Sequence, residues 1–143
     1  MIVYPDTSFV VSLYLEDSHS AEAERRVAAR PHFRLTPLHY AEWIHAIEGH
    51  VFQKHLSRGE ASQIYTDFEE ARAAGVWAEV SLPESAFDVC RELARRYAAR
   101  LGNRMLDTLH VACALELKAE RFWTFDERQA KLARAAGLRT DGA

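Results

Sequence analysis

Cysteine is scarce in this chain, and its two copies, Cys90 and Cys113, stand in apolar helical patterns without CxxC spacing or a histidine at ligand spacing. They read as two buried, reduced thiols of a cytoplasmic protein rather than as a metal or disulfide framework. Long apolar runs are also missing. Nothing approaches the roughly 20 residues needed to span a bilayer. The N-terminus has no basic leader, and Pro5-Asp6 breaks its apolar run at once, so neither a membrane segment nor a signal peptide is expected. There is no internal repeat and no low-complexity segment. Positive charge is not in excess either: 18 Lys and Arg against 21 Asp and Glu leave a net charge of −3. A protein that only grips nucleic acid is usually basic. An RNA partner would therefore need a local basic patch, and the acids need another use.

What remains is enough for one domain over residues 1–143, with a core that needs no staples. Short apolar runs at Met1–Tyr4, Phe33–Thr36, Val76–Val80 and Phe122–Phe125 predict strands, and Leu138–Thr140 predicts a fifth. Helices are predicted from Thr7 to about Leu15, from about Ser18, from Pro37 with the stripe Tyr40, Trp43, Ile44, Ile47 and Val51, and from a Ser57 cap towards Gly75. Others are predicted over Glu84–Leu101, over Met105–Leu117 (apolar nearly all round) and from Asp126 to Gly137. Strands alternating with helices argue for an α/β fold with a mainly parallel sheet of four to five strands. Ligands of such sheets bind outside the carboxyl ends of the strands.

Four acids fall where that rule directs the search. Asp6 follows the first strand and Asp126 the fourth. Asp107 lies in the first turn of the most apolar helix, where an unpartnered charge is costly. Glu42 lies early in the helix after the second strand, off its apolar stripe. Singly, Asp6 and Asp126 also read as helix caps and Glu42 as a solvated residue; jointly, they suggest a site. Converging carboxylates repel, and a hard divalent cation relieves the conflict. An oxygen-only donor set favours Mg²⁺, with Mn²⁺ as substitute, over Zn²⁺.

The segments Asp6-Thr7-Ser8, Ala41-Glu42-Trp43, Arg104 to Ala112 (RMLDTLHVA) and Trp123 to Gln129 (WTFDERQ) resemble, in order, the signature regions of PIN-domain ribonucleases, and in particular of single-domain VapC toxins. The resemblance spans essentially the whole chain. It implies a three-layer α/β/α fold and metal-dependent hydrolysis of RNA phosphodiesters, with tRNA or rRNA as substrate. It also implies a homodimer and a VapB-like antitoxin partner. By position it makes Asp6, Glu42, Asp107 and Asp126 the acidic, metal-holding quartet, with Asp6 and Asp107 the most direct ligands. Ser8 matches the small polar position beside the first acid, and Thr124 stands in the last signature. Trp43 is bulkier than the aliphatic residue expected after Glu42.

Seven histidines offer a metal-free alternative, general acid–base cleavage through the RNA 2′-hydroxyl. His39 and His45 flank Glu42 but lie about 120° apart on a helix. His110, one turn after Asp107, is placed to hydrogen-bond to it. Arg91, Arg95, Arg96, Arg100 and Arg104 form the densest basic stretch. They read either as a solvated helix face or, through Arg100 and Arg104, as a guide for the RNA backbone. Two rival readings stay open: an RNA-processing nuclease outside toxin–antitoxin systems, and a silent interaction module.

Overall fold

The computed structural model describes residues 1–141. In chain order its elements are β1 (Ile2–Pro5), α1 (Thr7–Tyr14), α2 (Ser20–Val27), β2 (His32–Leu35), α3 (Pro37–Phe52), α4 (Arg58–Ala73) and β3 (Trp77–Glu79). There follow α5 (Ala86–Leu93), a π-helical stretch (Ala94–Ala98), α6 (Ala99–Leu101), α7 (Met105–Glu116), β4 (Arg121–Trp123) and α8 (Glu127–Ala135). The four strands are parallel and lie in the order β3-β2-β1-β4.

That order decides where the helices go. The chain steps from β1 to β2 to β3 in one direction, then returns across the sheet to β4. With right-handed crossovers, reversing direction moves the connection to the other face. The two cores agree. Val3, Phe33, Leu35 and Trp123 pack with Phe9, Val10, Trp43, Ile47 and Phe68, so α1, α3 and α4 cover one face. Tyr4 and Phe122 point the other way, into Cys90, Leu93, Leu109, Val111 and Leu132 of α5, α7 and α8. Val3 and Tyr4, like Phe122 and Trp123, show the period-two alternation of a strand buried on both faces. The result is the expected α/β/α sandwich.

Several local expectations are altered. Leu138–Thr140 forms no strand; it contributes only an isolated parallel bridge between Arg139 and Arg121. The helix expected over Glu84–Leu101 is interrupted by the π stretch, within which the Tyr97 hydroxyl donates to the Ala135 carbonyl of α8 at 3.1 Å. Ile44, assigned to the buried stripe of α3, is 46 % exposed. Trp43 of the same stripe is buried as expected, stacked on Phe68 with ring centroids 4.7 Å apart. Both cysteines are free and buried.

The cap on α4 behaves as read. Ser57 Oγ accepts from the Glu60 amide at 3.0 Å, and Glu60 Oε1 accepts from the Ser57 amide at 2.9 Å, a reciprocal capping box. Ser57→Ala should cost about 1 kcal/mol, read as a drop of a few degrees in Tm. An unchanged melt would mean that water replaces the cap at no cost.

Candidate active site

The sheet reverses its winding between β1 and β4, and that junction is the switch point at which such sheets bind ligands. Asp6 leaves β1 there, and its amide donates to the Trp123 carbonyl of β4 at 2.7 Å. Pro5, the last residue of a central strand, is tolerated because β1 pairs with β2 only through Ile2 and Val3. Its carbonyl accepts from His39 Nε2 at 2.8 Å, which anchors the chain just before Asp6.

Asp6 is 9 % exposed. Its Oδ2 accepts from Ser8 Oγ and, at 3.3 Å, from Thr124 Oγ1. Burial raises its pKa; His110 and the Ser8 hydroxyl oppose the rise, and the charges of Glu42 and Asp107 add to it. Three of the four acids thus feel one another. Glu42 reaches the site from α3: its Oε1 accepts from Thr7 Oγ1 at 3.0 Å and from His110 Nε2. Burial pushes its carboxyl up, but the bonds from His110 and Thr7 and the charge of Arg104 outweigh that and hold it below the usual range.

Asp107 differs from expectation. Its helix does not begin in an apolar enclosure, because Met105 and Leu106 are exposed. Its side chain is 22 % exposed and meets Arg104 Nε at 3.4 Å through Oδ2. The burden of buried charge falls on Asp6. Asp126 stands farther out. Its Oδ1 caps α8 by accepting from the Gln129 amide at 3.0 Å, so the cap reading holds for this residue. Thr124 ties it to the centre: Thr124 Oγ1 accepts from the Asp126 amide at 3.0 Å and approaches Gln129 Oε1 at 2.9 Å as well as Asp6.

Each of the four carboxylates follows one pattern. One oxygen is held by the protein, and the other (Asp6 Oδ1, Glu42 Oε2, Asp107 Oδ1, Asp126 Oδ2) takes no hydrogen bond from a described residue. Among the described residues no group of three His, Cys, Asp or Glu side chains stands where it could hold a metal ion. Mg²⁺ does not require one, since it is commonly bound through one or two carboxylates and keeps several waters. A carboxylate raised by burial and then by like-charged neighbours, with an oxygen spare, fits such an ion.

Of the arginines, Arg104 lies beside the carboxylates with its side chain 84 % exposed, whereas the guanidinium of Arg100 sits over the Tyr97 ring at 5.6 Å. His110 is not hydrogen-bonded to Asp107 as anticipated but to Glu42, and through Nδ1 to the Tyr4 hydroxyl at 2.7 Å. The sequence reading also missed Thr7 and Gln129, whose Nε2 donates to the Asp107 carbonyl at 3.4 Å. A signal existed for Gln129, as for His39 and His110. His39, His110 and Gln129 are polar yet occupy buried helix faces, and buried polar groups need partners.

A parallel sheet between two helix layers, with Asp6 at its switch point, defines an α/β/α domain. Residues 3–135 match the family model of the PIN domain, and the chain belongs to that family. No curated protein matches it in sequence. The solved structures that share its fold include two from toxin–antitoxin pairs. VapC20 of Mycobacterium tuberculosis, a toxin that cleaves the sarcin–ricin loop, is 17% identical with a TM-score of 0.71, covering 99% of each chain. VapBC2 of Rickettsia felis, bound to a DNA fragment from its promoter, is 16% identical with a TM-score of 0.65, covering 99% of this chain and 98% of that one. No helix among the described residues is long and apolar enough to cross a membrane.

Proposed function

We propose that this protein is a Mg²⁺- or Mn²⁺-dependent endoribonuclease acting as the toxin of a VapBC-like pair, as a homodimer restrained by a VapB-like antitoxin. One observation carries the reading: carboxylates just past β1 and on α3 and α7 each keep one oxygen anchored and one available at the switch point of a PIN domain. Family membership and the likeness in fold to VapC20 support the choice of RNA, with tRNA or rRNA as its class.

Asp6 and Asp107 would hold the ion, with Glu42 and Asp126 completing the set or orienting the attacking water. A divalent ion there supplies a lowered water pKa and stabilises charge on the phosphate. Ser8 and Thr124 fix Asp6, so its spare oxygen is presented in one direction. Arg104, exposed at the edge, is placed to attract a phosphate and lead the backbone inward. His39 is sealed in the core and His45 is exposed, which disfavours a His pair acting on the 2′-hydroxyl.

Purified protein should cleave RNA with Mg²⁺ or Mn²⁺, leave 3′-hydroxyl and 5′-phosphate ends, and stop in EDTA. Undiminished cleavage in EDTA, or 2′,3′-cyclic phosphate ends, would refute the metal mechanism. Sequencing fragment 5′ ends after brief expression identifies the RNA. A protein that cleaves RNA in vitro yet leaves growth unaffected when expressed alone would be a processing nuclease instead of a toxin.

A further inference from the structure

We propose that His110, backed by Tyr4, is a positioning residue that holds the Glu42 carboxylate in place for the candidate site; this rests on the ribonuclease reading of that site. Neither ring belongs to the solvent: His110 is 1 % exposed and Tyr4 fully buried. A carboxylate only accepts hydrogen bonds, so the imidazole Nε2 facing Glu42 Oε1 carries the proton. Nδ1 is hydrogen-bonded to the Tyr4 hydroxyl at 2.7 Å. The ring is packed edge-on against His39, with centroids 4.9 Å apart, and against Tyr4 at 5.7 Å. Its orientation is therefore fixed by bonds at both nitrogens and by contacts on its sides.

A merely apolar filler would complete the core at this position without the desolvation that an imidazole brings. What the imidazole adds is control of a flexible side chain. Glu42 is a long residue, 29 % exposed at its side chain, and free rotation would take its carboxylate away from Asp6. Two donors from different helices, Thr7 of α1 and His110 of α7, meet on the same oxygen and stop that rotation. Oε2 remains unbonded among the described residues. His110 also lies one turn after Asp107, so a single helix supplies one candidate ligand and the clamp on another. Groups that hydrogen-bond to ligating carboxylates in this way set the position and basicity of the ligand.

A double-mutant cycle tests the clamp, with Mn²⁺ affinity of the purified protein and single-turnover RNA cleavage as separate readouts. His110→Ala should weaken Mn²⁺ binding and slow cleavage by about 10- to 100-fold, the usual range for such partners. His110→Gln, which keeps a donor near the Nε2 position, should recover most of the loss. Tyr4→Phe, which keeps the ring and removes the hydroxyl, should cost a few-fold on both readouts. In a Glu42→Gln background His110→Ala should cost almost nothing further. An equal loss in both backgrounds, or no recovery in His110→Gln while that variant melts as a folded protein, would make His110 a packing residue and overturn the proposal. A wild type that binds Mn²⁺ but cleaves no RNA refutes the ribonuclease reading alone, and the Mn²⁺ cycle then decides the clamp. A wild type that binds no Mn²⁺ overturns both.

Discussion

Asp6→Asn is expected to lower RNA cleavage about a thousandfold, the rate equivalent of roughly 4 kcal/mol, while raising the Tm of the metal-free protein. Both effects come from one carboxylate. Its spare oxygen is the best-shielded donor at the switch point, and an amide oxygen there is a weaker cation ligand. Without metal, the same charge is a burden, because burial and then the neighbouring acids raise its pKa. An acid whose folded pKa lies above its unfolded value destabilises the fold at higher pH, and that cost fades as pH falls towards about 4. The stability gain in Asp6→Asn should therefore be largest near and above neutrality and shrink on acidification. Asp6 makes no side-chain cap bond to α1, and Asn can still accept from Ser8 and Thr124. In EDTA the gain should be about 1 kcal/mol, or some 3 °C. Mn²⁺ should raise the wild-type Tm by mass action and the variant's far less. A variant that melts lower than wild type in EDTA, yet gains as much from Mn²⁺, would remove Asp6 from the site.

Lowering the pH from 6.5 to 4.5 is expected to cost about 2–3 kcal/mol through His39 alone. Burial first, and His110 second, depress its pKa to about 3, against the opposing bonds to Pro5 and Thr36. The bonding shows why. The Thr36 amide donates to Nδ1 at 2.9 Å, and Nε2 donates to the Pro5 carbonyl at 2.8 Å. A second proton would have to stand on Nδ1, against an N–H. The folded protein thus keeps a neutral ring while the unfolded chain takes up a proton near pH 6.5. Stability is complete above that pH and is lost progressively below it, until about pH 3. Urea unfolding at a series of pH values measures the slope. His39→Gln should be weaker at neutral pH by about 1–2 kcal/mol, with a flatter decline between pH 6.5 and 4.5. Parallel curves for the two proteins would exclude His39 as the source.

Strand placement, and with it the position of Asp6 and Asp126 just past strand ends, was readable because it depends on local pattern. A short apolar run followed by Pro5-Asp6 announces a strand end, and the order of elements forces a parallel sheet. What was not readable depends on the return of β4 beside β1. Nothing local to RMLDTLHVA tells whether His110 faces Asp107, three residues away, or Glu42, 68 residues away; only the return of β4 beside β1 brings His110 of α7 to Glu42 of α3. Asp107 was read as enclosed because the residues around it are apolar, yet Met105 and Leu106 begin the helix at the surface. The π stretch has no sequence mark, since Ala94 to Ala98 would serve an α-helix equally well.

The junction of β1 with β4 also imposes a schedule on synthesis. Asp6 leaves the ribosome early, but its hydroxyl partner Thr124 is 118 residues behind it, and Asp107 and Asp126 belong to the same late portion. At about 5–20 residues per second, Asp6 and Glu42 wait several seconds for Asp107, Thr124 and Asp126. A nascent chain that has not yet reached Asp107 carries Asp6 and Glu42 alone, without the β4 edge against which Asp6 is held.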